Sequence, residues 1–347
     1  MRNEEWGMGN EEWGMRNRGL CPVVCLVLML AVVAGCAILP IKETIDFEGV
    51  SGDILLDVLG LLSEDDFPRL DGSTATKPLG EALAALIMGK DRAACKEFAD
   101  FSGTNEAYIR LADGEADLLL VYEMPSEADE YVRDQASSFE IASIGMDALI
   151  FMVSTLNPVD NLTTQQIIDI YAWPEYRINY FWAPHTHHIS GKITNWRTVG
   201  GKDAPILAFQ RNNDSGSHTL MKKLVMGETP LAPAQKHLIV YSMSEILNVI
   251  ADYDNGPNSI GYNVYYYVAE MEKDPHVKIL SVDGVAPGND TIASGKYPFV
   301  NDFYAVIRAT AKPDSPERLL FRWLQTVEGQ LLIEAEGYVA LHSQERI

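Results

Sequence analysis

Apolar and polar positions alternate along this chain in two periods. Leu118 to Tyr122 is an unbroken apolar run, too short for a helix and bounded by turn residues, which predicts a buried strand. Ala148 to Val153, Pro205 to Phe209, Ser259 to Tyr267 and Phe303 to Ile307 read as further strands. Between them the period lengthens. From Pro78 onward, Leu79, Leu83, Leu86 and Ile87 make one helical stripe, with proline suited to its first turn. Thr163 to Ala172 and Ser242 to Asp252 read as capped helices, and Ser315 to Glu334 as one long helix with Leu319, Leu320, Trp323 and Leu324 inward. Leu55, Val58, Leu59 and Leu62 keep helical spacing within Ile41 to Pro68, as a short tether helix would. Strands alternating with helices predict α/β architecture with largely parallel sheets. A chain of 347 residues can bury two such cores, one per lobe.

Three helix starts in this pattern carry unusual chemistry. Phe209 to Met226, FQRNNDSGSHTLMKKLVM, sets Arg211 four residues ahead of a small-residue turn, Ser215-Gly216-Ser217, and then runs into an amphipathic helix. Backbone N–H groups at a helix start lack intrahelical partners and carry partial positive charge, so small residues there admit an oxyanion to hydrogen-bonding distance. A nearby guanidinium adds a planar, permanently charged fork. Asp71 to Thr76, DGSTAT, opens a second helix with hydroxyls at Ser73, Thr74 and Thr76. Ser102-Gly103-Thr104-Asn105 opens a third. Each alone is also what an ordinary N-cap looks like. Glu123 ends the strand Leu118 to Tyr122, at the carboxyl edge where ligands collect in open α/β sheets. Ser215, Ser217 and His218 are adjacent, but the G-x-S-x-G elbow of a hydrolase is absent, and His218 reads as a capping or surface residue.

Charge narrows the choice. The formal net charge is -22, which argues against a nucleic-acid partner, whose affinity comes mainly from basic side chains. A small anion stays open if neutral dipoles and one cation hold it. Removing residues 1–35 takes away three arginines and four glutamates, so the acidity belongs to the remainder. Residues 3–8 and 10–15 both read NEEWGM, and Met15 is the expected real start. Arg16 and Arg18, the apolar run Cys21 to Ala34 and Gly35-Cys36 then follow the layout of an export signal. Val33-Ala34-Gly35-Cys36 also resembles the lipobox of bacterial lipoproteins, which implies lipidation at Cys36. A plain signal peptide or a single anchoring helix is the alternative. Cys95 is left without a cysteine partner beyond that segment, so neither a disulfide framework nor a cysteine-based metal site is expected. It reads as a small buried apolar residue.

The segments DGSTATKPL, IGMDALIFMV, NPVDNLTTQQIIDIY, SGKITNWRTVGG, RNNDSGSHTLM and SIGYNVYYYV, in this order, resemble the phosphate-binding components of bacterial ABC importers. The resemblance covers roughly Pro68 to Val339. It implies a two-lobe type II periplasmic-binding-protein fold with a hinge of crossover strands, near Ala148 to Val153 outward and near Val300 to Ile307 on return. The implied organisation is a signal and lipobox segment at 1–36, a tether at 37–67, lobe 1 at 68–149, lobe 2 at 150–299 and a return to lobe 1 at 300–347. Carried over by residue, the phosphate-binding set is Thr76 with the Lys77 backbone, Thr104, Glu123, and the turn Arg211, Ser215, Gly216 and Ser217. Tyr122 is the alternative to Glu123.

A carboxylate only accepts hydrogen bonds, so Glu123 would favour hydrogen phosphate over sulfate. The implied protein is not an enzyme, has no cofactor or catalytic residue, and is a monomer lipid-anchored outside the cytoplasm. Its partners are inorganic phosphate and the permease and ATPase subunits. A phosphate sensor without transport, or a secreted phosphate-ester hydrolase, is the alternative. Two departures stand out. Asn213 and Asp214 replace the family's acid and glycine, so the carboxylate that would orient Arg211 is shifted or absent. An insertion, 173–189, intervenes before SGKITNW; its His185, His187 and His188 could ligate a metal, but no carboxylate or cysteine pattern completes a site, and a surface loop is the expected reading.

Overall fold

The computed structural model describes residues 62–173, 193–254 and 256–341, together with the backbone of one short antiparallel pair, Arg177–Ile178 and His187–His188. The signal and lipobox, Cys36, most of the tether and His185 lie outside the described residues.

One eight-stranded sheet runs through the molecule. In chain order its strands are β1 (Leu70–Gly72), β2 (Leu118–Val121), β3 (Phe139–Ser154), β4 (Leu207–Ala208), β5 (Ser259–Val264), β6 (Val277–Ile279), β7 (Val300–Arg308) and β8 (Val339–Ala340). Their lateral order is β1-β2-β7-β3-β5-β4, with β6 and β8 also on β3.

The long strand β3 serves two lobes. Its residues 139–148 pair antiparallel with β7, from Phe139 opposite Arg308 to Ala148 opposite Val300. Its residues 149–153 pair antiparallel with β5, from Leu149 opposite Val264 to Val153 opposite Ile260. The handover falls where Leu149 N–H donates to Phe299 carbonyl at 2.9 Å. Every residue from Ile144 to Ser154 on β3 is buried, so the hinge is cored on both faces. Gly145 has a packing reason: a Cβ there would meet the Phe303 ring at 2.4 Å.

The sheet is mixed rather than largely parallel. β1 with β2 and β5 with β4 are parallel, as helix crossovers require, but β7 and β3 run antiparallel to each other and to their flanking partners. One strand leads out of the first lobe and the other leads back, which fixes opposite directions.

Three predicted elements end differently. The strand expected over Ser259 to Tyr267 stops at Val264, because Tyr266 N–H donates to Asp147 Oδ1 at 3.1 Å and the chain turns. The helix expected over Ser315 to Glu334 is two, Pro316–Trp323 and Val327–Ala335. Thr326 breaks it, its hydroxyl donating to Trp323 carbonyl at 2.7 Å and accepting from Gly329 N–H at 3.3 Å. The strand before the central turn is two short pieces, β4 and Gln210–Arg211, the second pairing parallel with Ile239–Val240.

Candidate functional site

The first two hydroxyl-bearing turns are laced together by a carboxylate. Asp71, at the end of β1, is fully buried. Its Oδ1 accepts from Gly72 N–H and Ser102 N–H, each at 2.7 Å, and its Oδ2 from Ser102 Oγ at 2.8 Å and Arg110 Nη1 at 2.6 Å. Four donors, one of them the Arg110 cation, make this burial tolerable. Gly103 N–H then donates to Gly72 carbonyl at 3.0 Å. Gly103 holds a φ of 98°, which favours glycine, and delivers Thr104 as the first residue of helix Thr104–Ala112.

Thr76 sits at the core side of the first turn. Its hydroxyl faces Leu120 carbonyl at 2.6 Å and Ser73 carbonyl at 2.9 Å, and its N–H also donates to Ser73 carbonyl at 2.9 Å. Lys77 N–H donates to Thr74 carbonyl, and its ammonium lies 3.4 Å from Asp100. Both are thus engaged within lobe 1, and Thr76 keeps only oxygen lone pairs to offer.

The third turn meets the second. Ser215 caps helix Gly216–Leu220, accepting from His218 N–H at 3.2 Å and donating to Asn212 carbonyl at 3.0 Å. Gly216 faces Thr104 so closely that a Cβ on it would stand 2.9 Å from Thr104 Oγ1. Thr104 and Ser217 are both buried there. Residues more than a hundred positions apart therefore share one cleft.

Arg211 lies beside this junction, 6% exposed. Its Nη2 donates to Tyr241 carbonyl at 3.3 Å, its Nε is buried without an acceptor, and among the described residues no carboxylate pairs with it. Burial holds its pKa below the usual arginine value, against the pull of Tyr262, Tyr267 and Glu245. Asp214 does not take the orienting role. It instead faces Glu127 of the other lobe, whose pKa is raised by a hydrogen bond with that carboxyl.

Glu123 reaches across the cleft. Its Oε1 pairs with Lys223 Nζ at 2.8 Å, and Tyr304 OH donates to its Oε2 at 3.4 Å. The neighbouring Tyr122 points the other way, fully buried, with its hydroxyl on Asp147 Oδ2 at 2.6 Å.

His218 is not the surface residue that its place in the sequence suggested. Its ring is buried, with Nδ1 3.1 Å from Tyr262 OH. Burial first, then Lys222 and Arg211, push its pKa down to about 4. Sequence reasoning also passed over Asp71, Lys223, Asp147 and Tyr262. Asp71 and Asp147, acids beside or within apolar strands, were the available signal.

Two lobes on a pair of crossover strands, with helix starts converging between them, define the two-lobed α/β binding class. The chain belongs to the PBP superfamily: the description "PBP superfamily domain" matches residues 70–326. Among curated relatives, the phosphate-binding protein PstS of Borreliella burgdorferi is 27% identical over 201 residues, 56% of this chain and 63% of that protein. The phosphate-binding protein PstS of Bacillus subtilis is 34% identical over 151 residues, 43% of this chain and 46% of that protein. The matches thus span less than two thirds of either relative's length. A Clostridium perfringens structure with bound phosphate, described as that of a phosphate ABC transporter substrate-binding protein, shares the fold. Its TM-score is 0.57 at 24% identity, over 78% of this chain and 98% of that one.

Among the described residues, no helix is long and apolar enough to cross a membrane, and no cluster of three His, Cys, Asp or Glu side chains could hold a metal.

Proposed function

We propose that this protein captures inorganic phosphate outside the cytoplasm and hands it to the permease and ATPase of an ABC importer. The observation that carries the reading is Arg211: a buried guanidinium with no carboxylate partner among the described residues, where the Thr104 and Ser215-Gly216-Ser217 turns meet. A buried unpaired cation is costly, and an anion among oriented N–H dipoles relieves that cost. The names of the two curated relatives agree with phosphate as that anion.

In this reading Thr104, Arg211, Gly216 and Ser217 surround the phosphate oxygens, with Ser215 shaping the turn as its cap and Thr76 and Lys77 behind them. Glu123 accepts a hydrogen bond from the proton that hydrogen phosphate retains. Residues 68–149 and 300–347 form one lobe and 150–299 the other. A lipid on Cys36 tethers the monomer to the membrane. Hydrolysis is disfavoured because the groups a nucleophile would need are spent: Ser215 Oγ caps its helix and His218 Nδ1 meets Tyr262.

Calorimetric titration of the protein with phosphate, arsenate, sulfate and molybdate tests the reading. Tight phosphate binding without hydrolysis of a phosphate ester is expected, with sulfate far weaker. Absence of phosphate binding overturns it.

A further inference from the structure

Among the described residues no carboxylate orients Arg211, yet the turn it opens is held. We infer that Tyr262 is a positioning residue for this turn, fastening both its ends with one buried hydroxyl. The inference rests on the phosphate reading above.

Tyr262 lies on β5 and is fully buried. Its hydroxyl accepts from Arg211 N–H at 3.2 Å, where the turn begins, and lies 3.1 Å from His218 Nδ1, where the turn has become helix. A phenol has one proton. Arg211 N–H donates to the oxygen, and in the proposed clamp the phenol proton goes to Nδ1, with the ring proton of a neutral His218 on Nε2. The ring of Tyr262 is itself fixed by edge contacts to Phe151 and Tyr171, at 6.2 and 5.7 Å between centroids. The oxygen therefore has a defined position, and residues 212–217 span between its two partners.

The clamp is neutral. It holds the entry and exit of the turn without spending the positive charge of Arg211, as an orienting carboxylate would. It also depends on a neutral imidazole. Burial first, then Lys222 and Arg211, disfavour protonation of His218, while Asp214 and a hydrogen bond with the Arg211 backbone favour it. Protonating Nδ1 turns an acceptor into a second donor and breaks the clamp at the His218 end.

The test is Tyr262→Phe, which keeps the ring and removes the hydroxyl. Titration with inorganic phosphate should show affinity about tenfold weaker than wild type, as loss of two hydrogen bonds to a binding turn implies. His218→Leu and the double variant complete a cycle. The double variant should bind no worse than Tyr262→Phe, because one clamp is being removed twice; fully additive losses overturn the inference. Wild-type affinity should fall as pH drops through about 4, where His218 takes its proton, while Tyr262→Phe responds less. Parallel pH profiles overturn it. Nitrogen NMR of the imidazole gives a readout independent of ligand: wild type should be neutral and protonated at Nε2, and an Nδ1-protonated ring refutes the clamp. A wild type that binds no phosphate refutes the functional reading separately.

Discussion

Replacing Arg211 by methionine should move affinity and stability in opposite directions. Arg211 is 6% exposed, and among the described residues its side chain makes one hydrogen bond, to Tyr241 carbonyl at 3.3 Å, while Nε has none. A cation so placed contributes little to the unliganded fold and carries a desolvation cost of several kcal/mol, partly relieved by relaxation. Methionine fills similar space without charge. The unliganded variant should gain about 1–3 kcal/mol, a rise in Tm of at least about 2 °C. A charged hydrogen bond to phosphate contributes about 1.5–3 kcal/mol, so binding should weaken roughly 10- to 150-fold. Thermal denaturation with and without phosphate reads both. At a phosphate concentration of 100 Kd wild type should gain about 2.7 kcal/mol, and the variant much less at that same concentration. A variant that melts lower than wild type without ligand, or binds phosphate as tightly, would refute the reasoning.

Glu123→Gln should lower the ratio of phosphate to sulfate affinity, because an amide can donate to an oxyanion with no proton of its own; competition titrations that leave the ratio unchanged would remove Glu123 from the specificity role. Gly216→Ala should weaken phosphate binding severalfold while leaving the melting temperature level or slightly higher. Its Cβ would stand 2.9 Å from Thr104 Oγ1, which opposes closure, whereas alanine favours a helix start over glycine. Asp147 should make the fold less stable as pH rises. Burial lifts its carboxyl to about 6 from an unfolded value near 3.8, despite donors at Tyr122 OH, Ala148 N and Tyr266 N. The folded state then holds the proton more tightly, so its contribution is full below about pH 4 and is lost through pH 6, about 3 kcal/mol in all. Denaturant unfolding of wild type and Asp147→Asn across pH 4 to 7 checks the sign: the variant should gain on wild type as pH rises, and a constant difference would contradict the assignment.

What the sequence disclosed followed local chemistry. The hydroxyl-rich helix starts at 73–76, 102–104 and 215–217 were legible because small polar residues before an apolar stripe have few other uses, and β2 because five apolar residues in a row can only be buried. The first half of β3 was not legible. Glu140 and the half-exposed Ile141 interrupt its pattern, and only pairing along the whole of β7 makes it a strand. Tyr265 to Tyr267 looked like strand because aromatics favour sheets, yet Asp147, more than a hundred residues earlier, draws Tyr266 N–H out of the ladder. The stripe Leu319, Leu320, Trp323 and Leu324 hid a helix break, since the close approach of Gly329 to Trp323 carbonyl has no periodic signature. Tyr262 and His218 stand 44 positions apart, so no motif could join them.

A protein of net charge -22 that takes an anion is less contradictory than the total implies. At physiological salt, charges beyond about 8 Å are largely screened, so the acidic surface acts weakly at the contact itself. The acids at and beside the helix starts have partners of their own. Asp71 is surrounded by Ser102, Gly72 and Arg110, Glu123 by Lys223 and Tyr304, and Asp214 faces Glu127 rather than Arg211. What remains uncommitted toward the cleft is the guanidinium and the helix-start dipoles. A strongly acidic exterior then costs association rate more than affinity.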